Sequence, residues 1–310
     1  MDDALLTLDL VKGLERRRLR NLLTSCGGAQ RLLGQDVESL RRSTGCSSRW
    51  ATSFMRRCEE AANRVGDERR LMKALGCRLI SESMGGYPPL LRLIPDPPVL
   101  LRVRGGFPKA VLESTQPSVA VVGSRRPSPH GCRQARRFAE FLVDHGVHLV
   151  SGGARGIDAI VHRQAVLGSS ATTAVMGSGL GRVYPPEHES LFDSILESGG
   201  ALVSEFPMRT PPRPAHFPRR NRIVSGLSLG VLVIEATSRS GALITARMAV
   251  EDHGREGGAL PGRIDDSASQ GCLRMIAEGW GALVRSPEEA LELLTSPTPL
   301  LACREAVLRG

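Results

Sequence analysis

From Val119 onward the chain repeats one pattern: a short run of β-branched and apolar residues, a loop rich in glycine or proline, then a stretch with apolar residues at helical spacing. Alternation of this kind is the signature of βαβ units, whose strands pair in parallel and are buried on both faces by the crossover helices. Strands are predicted at Ser118–Gly123, Val147–Gly152, Thr172–Gly177, Ala201–Phe206, Gly230–Ala236, Gly257–Gly262 and Ala282–Val284. Between them lie helical stretches such as CRQARRFAEFLVDHG, DAIVHRQAVLG, ESLFDSILESGG, RSGALITARMAVEDHG and CLRMIAEGW. The fold class that follows is α/β, a mostly parallel sheet flanked by helices.

The preceding chain has a different character. Up to about Ser83 the apolar residues recur at helical spacing, in LLTLDLVKGL, RRLRNLLTSC, VESLRR and RWATSFMRRCEEAANRV, with breaks at Gly27-Gly28, Gly34 and Gly45. Residues 1–84 therefore read as a small all-α helical domain. Residues 85–118 are rich in proline and glycine and read as a connector packing on the core, residues 119–295 as the sheet domain, and residues 296–310 as a tail too short for a further domain. A chain of 310 residues has room for one large domain and a smaller one.

The formal net charge of +9 and a pI of about 9.8 point to polyanionic partners. The cations are overwhelmingly arginine, with lysine only at Lys12, Lys73 and Lys109. A compositional bias explains that total as well as selection for bidentate phosphate contacts does, so placement has to decide. The seven cysteines are scattered without a C-x-x-C pair, which fits neither a zinc ribbon nor a disulfide framework. No leader pattern opens the chain and no stretch approaches about 18 uninterrupted apolar residues, so no membrane partner and a cytoplasmic location are expected.

In an open parallel sheet, ligands bind beyond the carboxyl ends of the strands. The loop after the first predicted strand holds Gly123, Ser124, Arg125 and Arg126, and the loop after the second holds Gly152, Gly153, Ala154, Arg155 and Gly156. Each joins glycine, which lets backbone amides approach an oxyanion closely, to an arginine, and phosphate or carboxylate is the natural guest. The third strand ends in Gly177-Ser178-Gly179-Leu180-Gly181, better read as a turn than as a dinucleotide fingerprint, because Tyr184-Pro185-Pro186 rather than a helix follows and no acidic ribose ligand is placed. Between the fourth and fifth strands, Arg209, Arg213, Arg219, Arg220 and Arg222 put five arginines within fourteen residues. Arg219, Arg220 and Arg222, with Asn221 beside them, suit phosphate contacts, one of the arginines being open to an internal salt bridge instead. Phe217 or His216 is available to stack on a base, with burial as an anchor the competing role for Phe217. After the fifth strand, Ser240 or Ser238 is placed to cap a helix, and the amides around Ser240 and Gly241 are placed to hold an anion.

Absent motifs narrow the chemistry. There is no G-x-x-x-x-G-K-[ST] loop, no H-E-x-x-H and no G-x-S-x-G, and neither a cofactor nor a metal is expected. Asp158 and His162 share a helix face, but Asp158 is more simply that helix's N-cap and His162 a partly buried polar side chain. A binding protein rather than an enzyme is expected. The alternative is a Rossmann-like nucleotide hydrolase acting on nucleoside monophosphates, for which Glu205 and Glu235 are the carboxylates at strand ends, although the P-G-G-x-G-T loop of such enzymes is missing.

The strings VAVVGSRRPS, SGGARGIDAIVH, GSGLGRVYPPEH, SEFPMRTPPRPAHFPRRNRIVSGLS and EATSRSGALITARMA resemble, in order and spacing, the Rossmann-like domain of the DprA (Smf) DNA-processing family, over a region from about Tyr87 to Val284. The helical start is similar to the SAM or helix-hairpin-helix-like domain that often precedes it. The resemblance implies a cytoplasmic protein of natural transformation that dimerises, binds and protects incoming single-stranded DNA regardless of sequence, and helps load the RecA-type recombinase. It places DNA-backbone contacts at Ser124, Arg125, Gly153, Arg155, Gly156, Arg219, Arg220, Asn221, Ser240 and Gly241. Two features depart from the family pattern: the winged-helix-like segment that many members carry is not expected within these 310 residues, and GREGGALPG with Leu273 in place of a common asparagine predicts less regular last strands.

Overall fold

A computed structural model of the chain describes residues 3–113 and 115–295. Among them nine strands form one sheet in the order β1-β2-β6-β5-β4-β3-β7-β8-β9. The strands are β1 Cys77–Ser81, β2 Leu100–Gly105, β3 Ser118–Val122, β4 His148–Ser151, β5 Thr172–Val175, β6 Ala201–Ser204, β7 Gly230–Val233, β8 Glu256–Ala259 and β9 Ala282–Leu283. From β3 to β9 every pairing is parallel, while β1 runs antiparallel to β2 and β2 antiparallel to β6. The sheet is thus α/β and mostly parallel, as the alternating pattern predicts, with each parallel strand shorter than its predicted run.

The two antiparallel strands are a departure from the sequence reading. The segment CRLIS of β1 sits inside the stretch read as helical, and its buried-exposed alternation is that of a strand. The proline- and glycine-rich stretch supplies β2, whose Arg102 lies opposite Ser204 on β6, so this segment is hydrogen-bonded into the sheet as well as packed on it. The two-residue β9, with both residues exposed, agrees with the expected irregularity of the last strands. Residues 296–310, read as a tail, lie outside the described residues.

The N-terminal helices form as their amphipathic spacing requires. The 27-residue helix Ser48–Ala74 buries Ala51, Phe54, Cys58, Ala61, Val65 and Met72 along one stripe, and Ser47 caps its start by accepting from the Trp50 amide at 3.3 Å. That stripe packs on Leu6, Leu8, Leu32 and Leu40, and the same core continues through Leu79, Leu100 and Leu202 into the sheet. Buried charge joins the two parts as well. Arg102 of β2 is fully buried and donates to Glu68 at 2.6 Å and to Asp9 at 2.8 Å, both from the N-terminal helices. Losing Arg102 would leave the buried Glu68 without a cation. Among the described residues no helix is long and apolar enough to cross a membrane.

From β3 the chain steps through β4 and β5 to β6 on one side, then returns to place β7 on the other side of β3. Such a reversal opens a crevice between the carboxyl ends of the two adjacent strands, where the connecting helices leave in opposite directions. The loops after β3 and β7 flank it, and the helix His216–Gly226, which links β6 to β7, closes one side.

Candidate nucleic-acid interface

A cleft of about 370 Å³ occupies this switch point. Ser124, Arg125 and Arg126 line it from the loop after β3, Gly152 and Ala154 from the loop after β4, Phe217, Arg220 and Asn221 from the helix, and Thr237, Ser240, Gly241 and Thr245 from the segment after β7. Of the residues singled out in the sequence, Ser124, Arg125, Arg220, Asn221, Ser240 and Gly241 therefore meet here. Gly153, Arg155, Gly156, Arg219 and Arg222 do not line the cleft.

Backbone bonds fix its walls. The Ser124 amide donates to the Glu235 carbonyl at 2.8 Å, and the Ser124 carbonyl accepts from the Ile157 amide at 3.1 Å, so the β3 loop is tied to the segment after β7 and to the start of the helix Ile157–Leu167. Gly156 has φ of +77°, and a Cβ there would stand 2.2 Å from the Ser124 carbonyl oxygen, so only glycine allows this approach. Its role is to seat the β3 loop. Gly153, also in the left-handed region, is buried and offers its carbonyl to His188 Nδ1 at 3.1 Å.

Asp158 is not the N-cap; Gly156 holds that position. Two residues inside the helix, Asp158 accepts from the amides of Gly152 at 3.1 Å and Ala154 at 3.3 Å, folding the β4 loop onto the helix start. Those two amides are satisfied within the chain. Its neighbour His162 is fully buried rather than partly so, with Nδ1 3.0 Å from Thr172 Oγ1, and burial pushes it down to about 3.

Arg220 is the inner cation of the cleft. It is 4% exposed and donates through Nη1 to the carbonyls of Gly152 and Val175, at the ends of β4 and β5. Burial lowers it to about 10, with Asp158 acting in the opposite direction and Arg125 adding to the fall, so it remains charged at neutral pH. Asn221 binds the helix to the opposite wall, its Nδ2 donating to the Gly241 carbonyl at 3.2 Å. Ser240, not Ser238, caps the helix Gly241–Arg247, accepting from the Ala242 amide at 3.3 Å, while its own amide is held by the Thr237 carbonyl at 3.0 Å.

Arg125 and Arg126 form the outer rim. Both are exposed, and among the described residues neither has a carboxylate within ion-pair distance. The Arg125 guanidinium lies 4.8 Å from the centre of the Phe217 ring. Phe217 is half-buried against Gly177 and 5.8 Å from Tyr184, so it is packed as an anchor on one side and lines the cleft on the other. Arg126 was legible in the sequence beside Arg125, whereas Thr237 and Thr245 carried no signal beyond proximity to the Ser240 turn.

The remaining arginines have other places. Arg222 turns away from the cleft and clasps Glu205 with two bonds of 2.9 Å, with Asp96 at 3.3 Å behind it. A fork of this geometry, 11% exposed, is an internal ion pair. The exposed Arg155 pairs with Glu187 and lies 5.8 Å from the Tyr184 ring. Arg219 is exposed on the opposite face of the helix, 5.5 Å from the Phe206 ring.

Both carboxylates at the strand ends are engaged within the chain. Burial alone would raise Glu205, but the guanidinium groups of Arg222 and Arg16 outweigh it and hold the carboxyl below its usual range. Glu235 accepts from the Ser128 amide at 3.0 Å and from the Ser128 hydroxyl, anchoring the β3 loop.

Fold and site together define a Rossmann-like α/β protein with a cationic cleft at its topological switch point. Residues 78–295 match the family model described as DNA recombination-mediator protein A. The chain belongs to that family. It is 50% identical over 208 residues to the protein Smf of Escherichia coli, a match covering 67% of this chain and 54% of that one, so the chain spans about half the length of this relative. The X-ray structure of DNA processing protein A from Streptococcus pneumoniae superposes with a TM-score of 0.81 at 32% identity, covering 96% of this chain and 99% of the other. A structure of DNA processing protein A from Helicobacter pylori, described for its single-stranded DNA binding mode, gives a TM-score of 0.61 at 26% identity over 70% of this chain and 94% of that one.

Proposed function

We propose that this chain binds single-stranded DNA without reading its sequence, holding phosphates on Arg125, Arg126 and Arg220 in the switch-point cleft. One observation carries the reading: three guanidinium groups converge on a cleft walled by an aromatic ring, and among the described residues no carboxylate lies within ion-pair distance of any of them. The exposed Arg125 and Arg126 at the mouth of the cleft favour a polyanion, and an aromatic wall favours unpaired bases, which expose their faces as a duplex does not. The single-stranded DNA binding described for the Helicobacter pylori relative supports the same reading. Ser124, Asn221, Ser240 and Gly241 complete the wall, and Gly153 and Gly156 serve by shaping it.

For the biological setting we propose protection of incoming single strands during natural transformation and delivery to a RecA-type recombinase, by a cytoplasmic homodimer; membership of the recombination-mediator family supports this setting. The proposed role includes no catalytic step, and the engagement of Glu205 by Arg222 and of Glu235 by Ser128 supports that reading. The test is competition between single-stranded and duplex oligonucleotides of one sequence across a salt series. Single strands are expected to compete better, with log affinity falling at a slope of about −0.7 per neutralised phosphate. Equal competition by the duplex, or a flat salt response, overturns the proposal.

A further inference from the structure

A second groove, of about 600 Å³, lies on the far side of the same helix, between the N-terminal helices and the segment from Phe206 to Arg219. The first turn of the helix His216–Gly226 divides the two spaces by its own periodicity. Phe217, Arg220, Asn221 and Val224 line the switch-point cleft, while His216 and Arg219, one turn apart, line the groove. Charge is distributed unevenly there. Every acid lining the groove is already paired: Asp9 with Arg16 and Arg102, Glu68 with Arg102, and Asp67 with Arg70. Lys12, Arg209, Arg213 and Arg219 are exposed, and among the described residues none has a carboxylate within ion-pair distance. The turn carrying Lys12 is held in place, because Arg57 donates to the Lys12 carbonyl at 3.1 Å and Arg64 to that of Leu10. An aromatic surface is present as well, since His216 stacks on Phe206 with ring centres 4.4 Å apart. Burial, with Arg219 and Arg213 nearby, holds His216 below its usual range.

The groove therefore repeats the chemistry of the cleft, unpaired guanidinium groups beside a stacked ring, on a surface to which the N-terminal helices contribute. A helix with its side chains is about 10 to 12 Å across, a distance that a few nucleotides cover. We propose that the strand bound in the switch-point cleft continues over the first turn of this helix into the groove, so that the N-terminal region, through Lys12 in the turn between its first two helices, forms part of the DNA-binding surface. The inference rests on the reading of the cleft as a single-strand site and deepens it.

The experiment uses the full chain and two single-stranded oligothymidylates, of about 6 and about 20 nucleotides, chosen to fill one space or both. Affinities are measured across a salt series for the unaltered protein, for the triple variant Lys12→Glu, Arg209→Glu, Arg213→Glu, and for Arg125→Glu with Arg126→Glu. All three substituted positions of the groove are exposed, and circular dichroism and thermal unfolding verify that the variant is folded. The triple variant is expected to bind the long oligonucleotide at least tenfold more weakly, with a salt slope shallower by about 2, and the short one within threefold of the unaltered protein. Unchanged affinity and slope for the long oligonucleotide overturn the groove, as does an equal loss for both lengths, which marks a general change of surface potential. Failure of the cleft reading registers separately, as unchanged binding of the short oligonucleotide by the Arg125 and Arg126 variant.

Discussion

The guanidinium of Arg220 occupies the space in which a side chain on Gly152 would stand: a Cβ there would lie 2.5 Å from Arg220 Nη1. Glycine at the end of β4 and arginine on the helix before β7 are thus one device, which brings a cation into the sheet edge and satisfies it on two strand-end carbonyls. Gly152→Ala is expected to push the guanidinium out of its seat, lowering stability by about 1 to 3 kcal/mol as overpacking does. Single-strand affinity falls with it. Urea unfolding beside fluorescence anisotropy checks both, and an alanine variant that binds normally means that the seat of Arg220 does not matter to binding.

Phe217 separates stacking from charge. Phe217→Leu retains an apolar anchor against Gly177 but removes the ring, and the expected loss is about 1 to 3 kcal/mol of single-strand binding with the salt slope unchanged. A slope that changes with the ring would show that the substitution acts through Arg125, which lies over it.

Acid should destabilise the junction between the N-terminal helices and the sheet. Glu205 and Asp9 sit below their ordinary values of 4.5 and 3.8 despite burial, because of Arg222 and Arg16 for the first and Arg16 and Arg102 for the second. The unfolded chain therefore takes up these protons at higher pH than the folded one. Their stabilisation is complete above the ordinary carboxylate range, declines as pH falls through it, and is gone below the folded values. Glu205→Gln breaks a buried pair, which costs about 3 to 5 kcal/mol at neutral pH, and flattens the acid limb. Urea midpoints from pH 7 to pH 3 read both effects.

A second limb lies at milder pH. Burial holds His148 down to about 4 and His162 to about 3, while both titrate near 6.5 once exposed by unfolding. Between those values the unfolded chain binds more protons, so stability decreases as pH drops from 6.5, by up to about 1.4 kcal/mol per pH unit for each histidine. His162→Gln should remove its share of that slope, and a slope identical to the unaltered protein assigns the effect elsewhere.

How much of this was readable in one dimension depends on what sets each feature. The parallel strands were legible because β-branched runs bounded by glycine need no information beyond their neighbours. β1 and β2 were not. CRLIS follows a long helix after only Leu75 and Gly76, and LLRVRG carries arginines that look like surface until Asp9 and Glu68, distant in sequence, arrive to bury Arg102. The same limit governs the site. Glycine loops and arginines beyond strand ends drew attention to Ser124, Arg125, Arg220, Asn221, Ser240 and Gly241, which converge. Spacing gives no sign that Arg222 will turn to Glu205 or Arg155 to Glu187, because an ion pair is chosen by the tertiary neighbour and not by the residue type.

The central claim is that unpaired guanidinium groups at the switch point hold the backbone of a single strand. Anisotropy titration of a labelled oligothymidylate against Arg125→Glu with Arg126→Glu, two exposed positions whose reversal leaves the core untouched, reads it directly. A drop of at least a hundredfold, with a salt slope shallower by about 1.4 for two lost phosphate contacts, is the predicted result. Affinity and slope equal to those of the unaltered protein would contradict it.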